Sequence, residues 1–271
     1  MTPAGKEKAI TLKTSEELQV MYEANQIVAG VLSMLLREMK PGLTTWQLDR
    51  WAEEYCRDHG AEPAFKGYRG FPASLCVSIN EQVVHGIPSK RVKVREGDIV
   101  SVDFGTLYKG FYGDSAVTIP VGTIKEPVRS LLNVTENSLY KAIEQVRIGN
   151  RVSDVSRAVQ EYVEKSGYSV VREFVGHGIG THLHEAPEVA NYVRKGASPR
   201  LLEGMVIAIE PMVNMGTHKV KVLRDHWTVV TADRKPSAHF EHSVAVTKDG
   251  PFVLSDRKSR KTGDCREQIS S

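Results

Sequence analysis

Four carboxylates and one histidine stand where a charged or titratable group is costly without a partner. Asp103 closes the apolar run Ile99-Val100-Ser101-Val102, and Asp114 opens Ser115-Ala116-Val117. Glu210 closes Met205-Val206-Ile207-Ala208-Ile209, and Glu241 precedes Ser243-Val244-Ala245-Val246. A carboxylate buried in such surroundings needs a cation, a proton or several donors. Taken singly, each reads more readily as a cap, an exposed strand end or a salt-bridge partner. Four together, two of them related by an internal repeat, shift the balance toward a shared cation site. His177 lies in Gly176-His177-Gly178, and the flanking glycines imply that something approaches the backbone closely there. Four carboxylates with one imidazole and no thiolate form a hard donor set, which favours Mn²⁺, Fe²⁺ or Co²⁺. They are also more than one ion takes. Two ions ~3.5–4 Å apart, sharing bridging carboxylates, are the economical arrangement for hydrolysis.

These residues must be positioned by strands. Residues 99–105 and 112–117 flank Leu107-Tyr108-Lys109-Gly110, which reads as a hairpin turn. With Tyr108 and Lys109 as its central pair, Asp103 and Asp114 face each other directly, Cβ atoms ~5 Å apart, a destabilising pairing that a dication would reverse. Residues 40–60 and 147–167 align without a gap at an offset of 107, with five identities in 21 positions: Gly42/Gly149, Arg50/Arg157, Glu54/Glu161, Tyr55/Tyr162 and Gly60/Gly167. Chance predicts about one. The same offset aligns Glu96-Gly97 and the run to Asp103 with Glu203-Gly204 and the run to Glu210. Each copy reads as two helices followed by strands. The first helix opens at the capping box Thr14-x-x-Glu17 and stops at Lys40-Pro41-Gly42. The apolar stripe Leu48, Trp51, Ala52, Tyr55 and Cys56 and its counterpart Val155, Ala158, Val159, Tyr162 and Val163 are core-facing by helical spacing. With β-branched runs at 99–102, 115–119, 206–209 and 243–247, the expectation is an α+β chain with pseudo-twofold symmetry.

Bulk properties exclude several classes. The chain has 271 residues, 41% hydrophobic and 25% charged, with a net charge of +3, too slight to point to nucleic acid as a specific ligand. No apolar stretch approaches the roughly 20 residues that span a bilayer. The first residues lack the apolar core of a secretory signal, and Cys56, Cys76 and Cys265 are few, odd in number and widely spaced. The expectation is a cytoplasmic protein without structural disulfides. Residues 1–13 read as a loose N-terminal segment, and 256–271 as a polar, disordered tail whose weak basicity allows a transient ribosome contact.

Asp103, Asp114, His177, Glu210 and Glu241, in this order and at these spacings, resemble the five metal ligands of type I methionine aminopeptidases. The likeness covers about residues 14–255 and extends to SINEQVVHGIP, DFGTLYKGFYGDSA, GHGIGTHLHEAP, GMVIAIEPM and HFEHSVAVT. It implies the pita-bread fold of the creatinase-like enzymes, one catalytic domain whose halves, about 14–122 and 126–255, surround a curved antiparallel sheet. It implies two divalent ions, Fe²⁺, Mn²⁺ or Co²⁺ with Zn²⁺ also admissible: Asp103 chelates one, Asp114 and Glu241 bridge, and His177 and Glu210 complete the shell of the second ion. The catalytic groups implied are Glu210, His184 near the scissile carbonyl oxygen and His85 near the peptide nitrogen. His182 has no such role. Phe65, Tyr68, Phe71, Cys76, Leu183 and Trp227 resemble the pocket for the methionine side chain, with Phe65 where many bacterial members carry cysteine and Leu183 where an aromatic is frequent. The implied reaction is removal of the initiator methionine of nascent polypeptides when the second residue is small, a metal-bridging hydroxide attacking the first peptide bond, in a monomer. Only 31 positions separate Glu210 from Glu241, without the large insertion of type II members, and no cysteine-rich extension precedes residue 14. An X-Pro aminopeptidase of the same fold is the alternative, although such enzymes carry a separate N-terminal domain. A non-catalytic binding protein is a third, although such proteins lose ligands that are all present here.

Overall fold

The structure is a computed structural model and describes residues 9–257. The expected disordered tail falls almost wholly outside that range, as do the first eight residues. Helix α1 (Ser15–Glu38) opens with the capping box: Glu17 N–H donates to Thr14 Oγ1, and the Thr14 N–H donates to the Glu17 carboxylate. Two first-turn donors are thereby satisfied. Helices α2 (Thr45–Asp58), α3 (Glu126–Ile143) and α4 (Val152–Lys165) complete the helical set among the described residues. None is long and apolar enough to cross a membrane.

A nine-stranded antiparallel sheet organises the chain. Its strands are β1 (Glu62–Pro63), β2 (Cys76–Ile79), β3 (Ile99–Tyr108), β4 (Phe111–Pro120), β5 (Gly176–Gly178), β6 (Glu185–Val189), β7 (Val206–Ile209), β8 (Glu241–Thr247) and β9 (Gly250–Val253). The order is β1-β3-β4-β8-β7-β5-β6, with β2 also on β3 and β9 also on β8. Two three-stranded sheets flank it, one from 169–170, 212–214 and 237–239, the other from 82–84, 220–222 and 229–231.

The internal repeat is visible in the backbone. Helix α4 begins and ends 107 positions after α2, and β7 begins 107 after β3. The isolated bridge Thr44↔Lys93 recurs as Arg151↔Arg200 at the same offset. Gly42 and Gly149, at φ 93° and 96°, occupy equivalent left-handed turns that a side chain would strain.

The hairpin register differs from the expected one. Tyr108 pairs with Phe111, so the central turn residues are Lys109 and Gly110, at φ 48° and 83°. A two-residue turn matched to strand twist needs positive φ at both central positions, and glycine takes the second without strain. Asp103 therefore faces Ala116 and Asp114 faces Gly105. The two aspartates are diagonal neighbours, not direct partners. Because the displacement is by an even number, both stay on the same face.

Register carries that face across the sheet. Ala116 pairs with Asp103 on one side and Glu241 on the other, and Asp114, two residues away, shares its face. Continuing the ladder His242↔Ile209 by one step sets Glu210 opposite Glu241. Gly178↔Ile207 then sets His177 on the side of Glu210. All five residues thus project from one face. The other face is covered by helices: Gly113 lies against the backbone of Ala24 and Asn25 in α1, and the His242 ring meets Tyr140 of α3 at 5.9 Å.

A Cβ at Gly113 would come within 2.9–3.1 Å of the α1 backbone, which cannot yield as a side-chain tip can. Gly113→Ala is therefore expected to lower unfolding free energy by ~1–3 kcal/mol, the usual cost of overpacking. Urea denaturation checks this, and an unchanged midpoint would contradict the close helix–sheet approach.

Candidate metal centre and substrate pocket

The five residues converge on one cavity of about 150 Å³, whose walls also include Phe65, Tyr68, Phe71, Cys76, His85, Leu183, His184 and Trp227. Every site residue expected from the sequence lies on it. Ligand atoms of Asp114, His177 and Glu241 fall within 4.8 Å of one another. Glu210 Oε1 is 3.6 Å from His177 Nε2.

The chemistry of this cluster asks for a cation. Asp103 Oδ1, Asp114 Oδ1 and Glu241 Oε1 are buried with no hydrogen-bond partner. Two full negative charges 4.8 Å apart repel by about 3.5 kcal/mol at an effective dielectric constant of 20. Burial first, and then the neighbouring carboxylates, push Asp114, Glu210 and Glu241 well above the usual carboxylate range. Burial raises Asp103 to about 7. His177 Nδ1 is 2.9 Å from the Gly178 carbonyl oxygen, which can only accept, so Nδ1 carries the proton. Its Nε2 lone pair then faces Glu210 at a spacing that a shared cation would fit. The residues fit a divalent-cation site, with Asp103, Asp114, His177, Glu210 and Glu241 as its donors. The glycines beside His177 serve packing: a Cβ at Gly176 would meet the Ala208 carbonyl oxygen, and one at Gly178 that of Ala186.

The pocket side of the cavity is assembled from distant segments. Phe71 meets Trp227 edge to face at 5.1 Å, and His85 meets Trp227 and Phe174 similarly at 6.1 and 5.4 Å. Phe65 rests on Gly105, where any Cβ would collide with its ring. His85 has φ 59°, a conformation that a non-glycine residue holds only when its surroundings impose it. Burial lowers its pKa to about 4, and burial with His177, Arg69 and His85 nearby lowers that of His184 to about 3, so both rings are neutral near pH 7. The Tyr68 hydroxyl oxygen is 2.9 Å from His184 Nδ1. His182 points into solvent, as expected of a loop histidine.

Residues 19–248 match the family described as metallopeptidase family M24. The methionine aminopeptidase of Clostridium perfringens is 51% identical over 245 residues, 90% of this chain and 98% of its own. Methionine aminopeptidase 1 of Bacillus subtilis matches over the same shares at 51%. The chain belongs to metallopeptidase family M24, among its methionine aminopeptidases. The crystal structure of the Thermotoga maritima methionine aminopeptidase superposes with a TM-score of 0.90 at 44% identity, covering 92% of this chain and 100% of that one. The fold of family M24 is broader than this activity: Pyrococcus furiosus prolidase, 24% identical, reaches a TM-score of 0.75, and this chain spans 66% of it.

Two further residues, which no motif marks, lie in or support the cavity. Arg69 lines the cavity with its guanidinium 5.4 Å from the Tyr68 ring centroid. Lys13, in the segment read as loose, is buried, and its ammonium donates to Glu185 at 2.6 Å and to the Thr11 carbonyl. Glu185 also accepts from the His182 N–H. This pair pins the loop that carries Leu183 and His184. Only a long-range contact reveals it, since 172 positions separate the partners.

Asp103→Ala, Asp114→Ala and Glu241→Ala are each expected to bind less metal than the parent and to lose activity, because each removes charge that holds the ions. Elemental analysis after dialysis against Mn²⁺ measures the first effect. Unchanged metal stoichiometry in Asp103→Ala together with full activity would refute the assignment.

Proposed function

We propose that this member of family M24 removes the N-terminal methionine of new polypeptides whose second residue is small, using two divalent ions held by Asp103, Asp114, His177, Glu210 and Glu241. The observation that carries the reading is the continuity of the apolar pocket with the carboxylate cluster in one cavity. A substrate with its first side chain in the pocket presents its first peptide bond to the cluster. When bound, the ions supply Lewis acidity toward that carbonyl and a nucleophile from water near neutral pH.

The chain's own groups do the rest. Asp103, Asp114, His177, Glu210 and Glu241 would hold the ions. Glu210, a largely buried carboxylate that would be ionised beside bound ions, is suited to take the proton from the attacking water and pass it to the departing amine. His184, neutral, donates to the scissile carbonyl oxygen as charge develops there. His85, lining the same cavity, serves the peptide nitrogen. Phe65, Tyr68, Phe71, Cys76, Leu183 and Trp227 enclose an unbranched thioether and offer a charged first side chain no partner. The protein acts as a cytoplasmic monomer on nascent chains, without a specific nucleic-acid ligand.

A hydrophobic pocket distinguishes a one-methylene difference by only ~1–3 kcal/mol, so norleucine is expected to leak through. Met-Ala-Ser and Met-Gly peptides should be cleaved efficiently, Met-Leu weakly and Lys-Ala or Glu-Ala not detectably. The kcat/KM values over that panel plus an X-Pro peptide, with metal stripped and reloaded, test the reading. Equal rates for Lys-Ala and Met-Ala, or preference for X-Pro, would reject it. His184→Ala is expected to keep its metal and lose ~10²–10³ in kcat. Loss of metal in that variant would make His184 a ligand instead.

A further inference from the structure

His177 and His184 lie with ring centroids 4.2 Å apart, yet their Nδ1 atoms meet partners of different kinds. Nδ1 of His177 meets a backbone carbonyl, an obligate acceptor, which leaves Nε2 as a lone pair fit for a cation. Nδ1 of His184 meets a phenol, which can donate. We propose that the Tyr68 hydroxyl sets the tautomer of His184, donating to Nδ1 so that the ring's single proton resides on Nε2, the nitrogen that meets the scissile carbonyl oxygen. The inference rests on the reading of His184 as the carbonyl-polarising group and gives Tyr68 a positioning role beyond lining the pocket.

Three observations support the direction of this hydrogen bond. A neutral imidazole has one N–H, so the contact is either O–H to N or N–H to O. The sp² nitrogen is the stronger acceptor and the phenol the stronger donor, because the phenol oxygen's lone pairs are delocalised into its ring. Arg69 adds to the bias: its guanidinium, 5.4 Å from the Tyr68 ring centroid, draws electron density from the phenol, making it a better donor and a poorer acceptor. Geometry holds the pair in place. The rings stack at 5.3 Å with planes 21° apart, and the Lys13–Glu185 ion pair anchors the residue next to His184. Which nitrogen acts is thus decided by the atom at the other one, the usual logic of an imidazole's outer partner.

Tyr68→Phe keeps the ring, the stack and the pocket wall and removes only the hydroxyl. In the Zn²⁺-loaded protein, ¹⁵N shifts of His184 are expected to report the Nε2–H tautomer for the parent and a mixture for Tyr68→Phe. Turnover of Met-Ala-Ser by Tyr68→Phe should fall by ~10–100-fold in kcat, the range typical of losing such a partner, with KM and metal content unchanged. Tyr68→Phe added to His184→Ala should cause no further loss, because Tyr68 acts through that ring. An additive loss in the double variant, or parental turnover in Tyr68→Phe beside an inactive His184→Ala, would overturn the tautomer assignment while leaving the reading of the site intact. Parental turnover in His184→Ala would overturn both.

Discussion

The burial of four carboxylates in one cavity, and the mutual repulsion this adds, is the constraint on which this architecture depends. Asp103, Asp114, Glu210 and Glu241 are drawn to one cavity from both halves of the chain, and three of them carry oxygens with no hydrogen-bond partner. Without a cation, the fold must hold protons on groups that would shed them in water. Nothing in hydrophobic burial compensates for this locally, so the cost is borne by the core formed where the helices pack on the other face of the sheet. A dication adds an attraction to each carboxylate that outweighs their mutual repulsion. The residues that weaken the metal-free protein are those proposed to hold its ions.

The sheet is how such a cluster can be built at all. Side chains alternate along a strand, so residues on five neighbouring strands share a face only if every register agrees. The chain achieves this with short side chains where space is needed: Ala116 between Asp103 and Glu241, Gly105 opposite Asp114. The duplicated halves supply Asp103 and Glu210 from equivalent strands, which puts an acidic residue on each side of the junction. Glycines at 176 and 178 let neighbouring carbonyls close on β5 and seat His177.

Much of this was legible in the sequence because its signals are local or periodic. The capping box at Thr14, the 107-residue offset and the apolar runs ending in carboxylates each reflect chemistry within a few residues or a repeated pattern. The offset between α2 and α4 is reproduced to the residue. The hairpin register was less legible, because Tyr108-Lys109 and Lys109-Gly110 differ by a single step and only the demand for positive φ chooses between them. Reading the flanking glycines of His177 as room for an approaching group was right in kind, but the group is the chain's own backbone. The contributions of Lys13, Arg69 and the Tyr68 hydroxyl have no sequence signature. Lys13 and the Tyr68 hydroxyl meet partners 172 and 116 positions away, and a lysine or an arginine in a loop is ordinarily a solvated side chain.

Burial and mutual charge strain the cluster until a cation enters. Thermal unfolding of the parent and of Asp114→Asn near pH 7.5, each with a chelator and with excess Mn²⁺, tests it most directly. A carboxyl whose folded pKa lies above its unfolded value costs stability once pH exceeds the unfolded value, and an amide does not. Asp114→Asn should therefore melt higher than the parent in chelator, by about 2–4 °C for each kcal/mol relieved. Mn²⁺ should raise the parent's Tm in proportion to its binding free energy and raise the variant's far less. A variant that melts lower than the parent in chelator, with a parent Tm indifferent to Mn²⁺, would contradict the account.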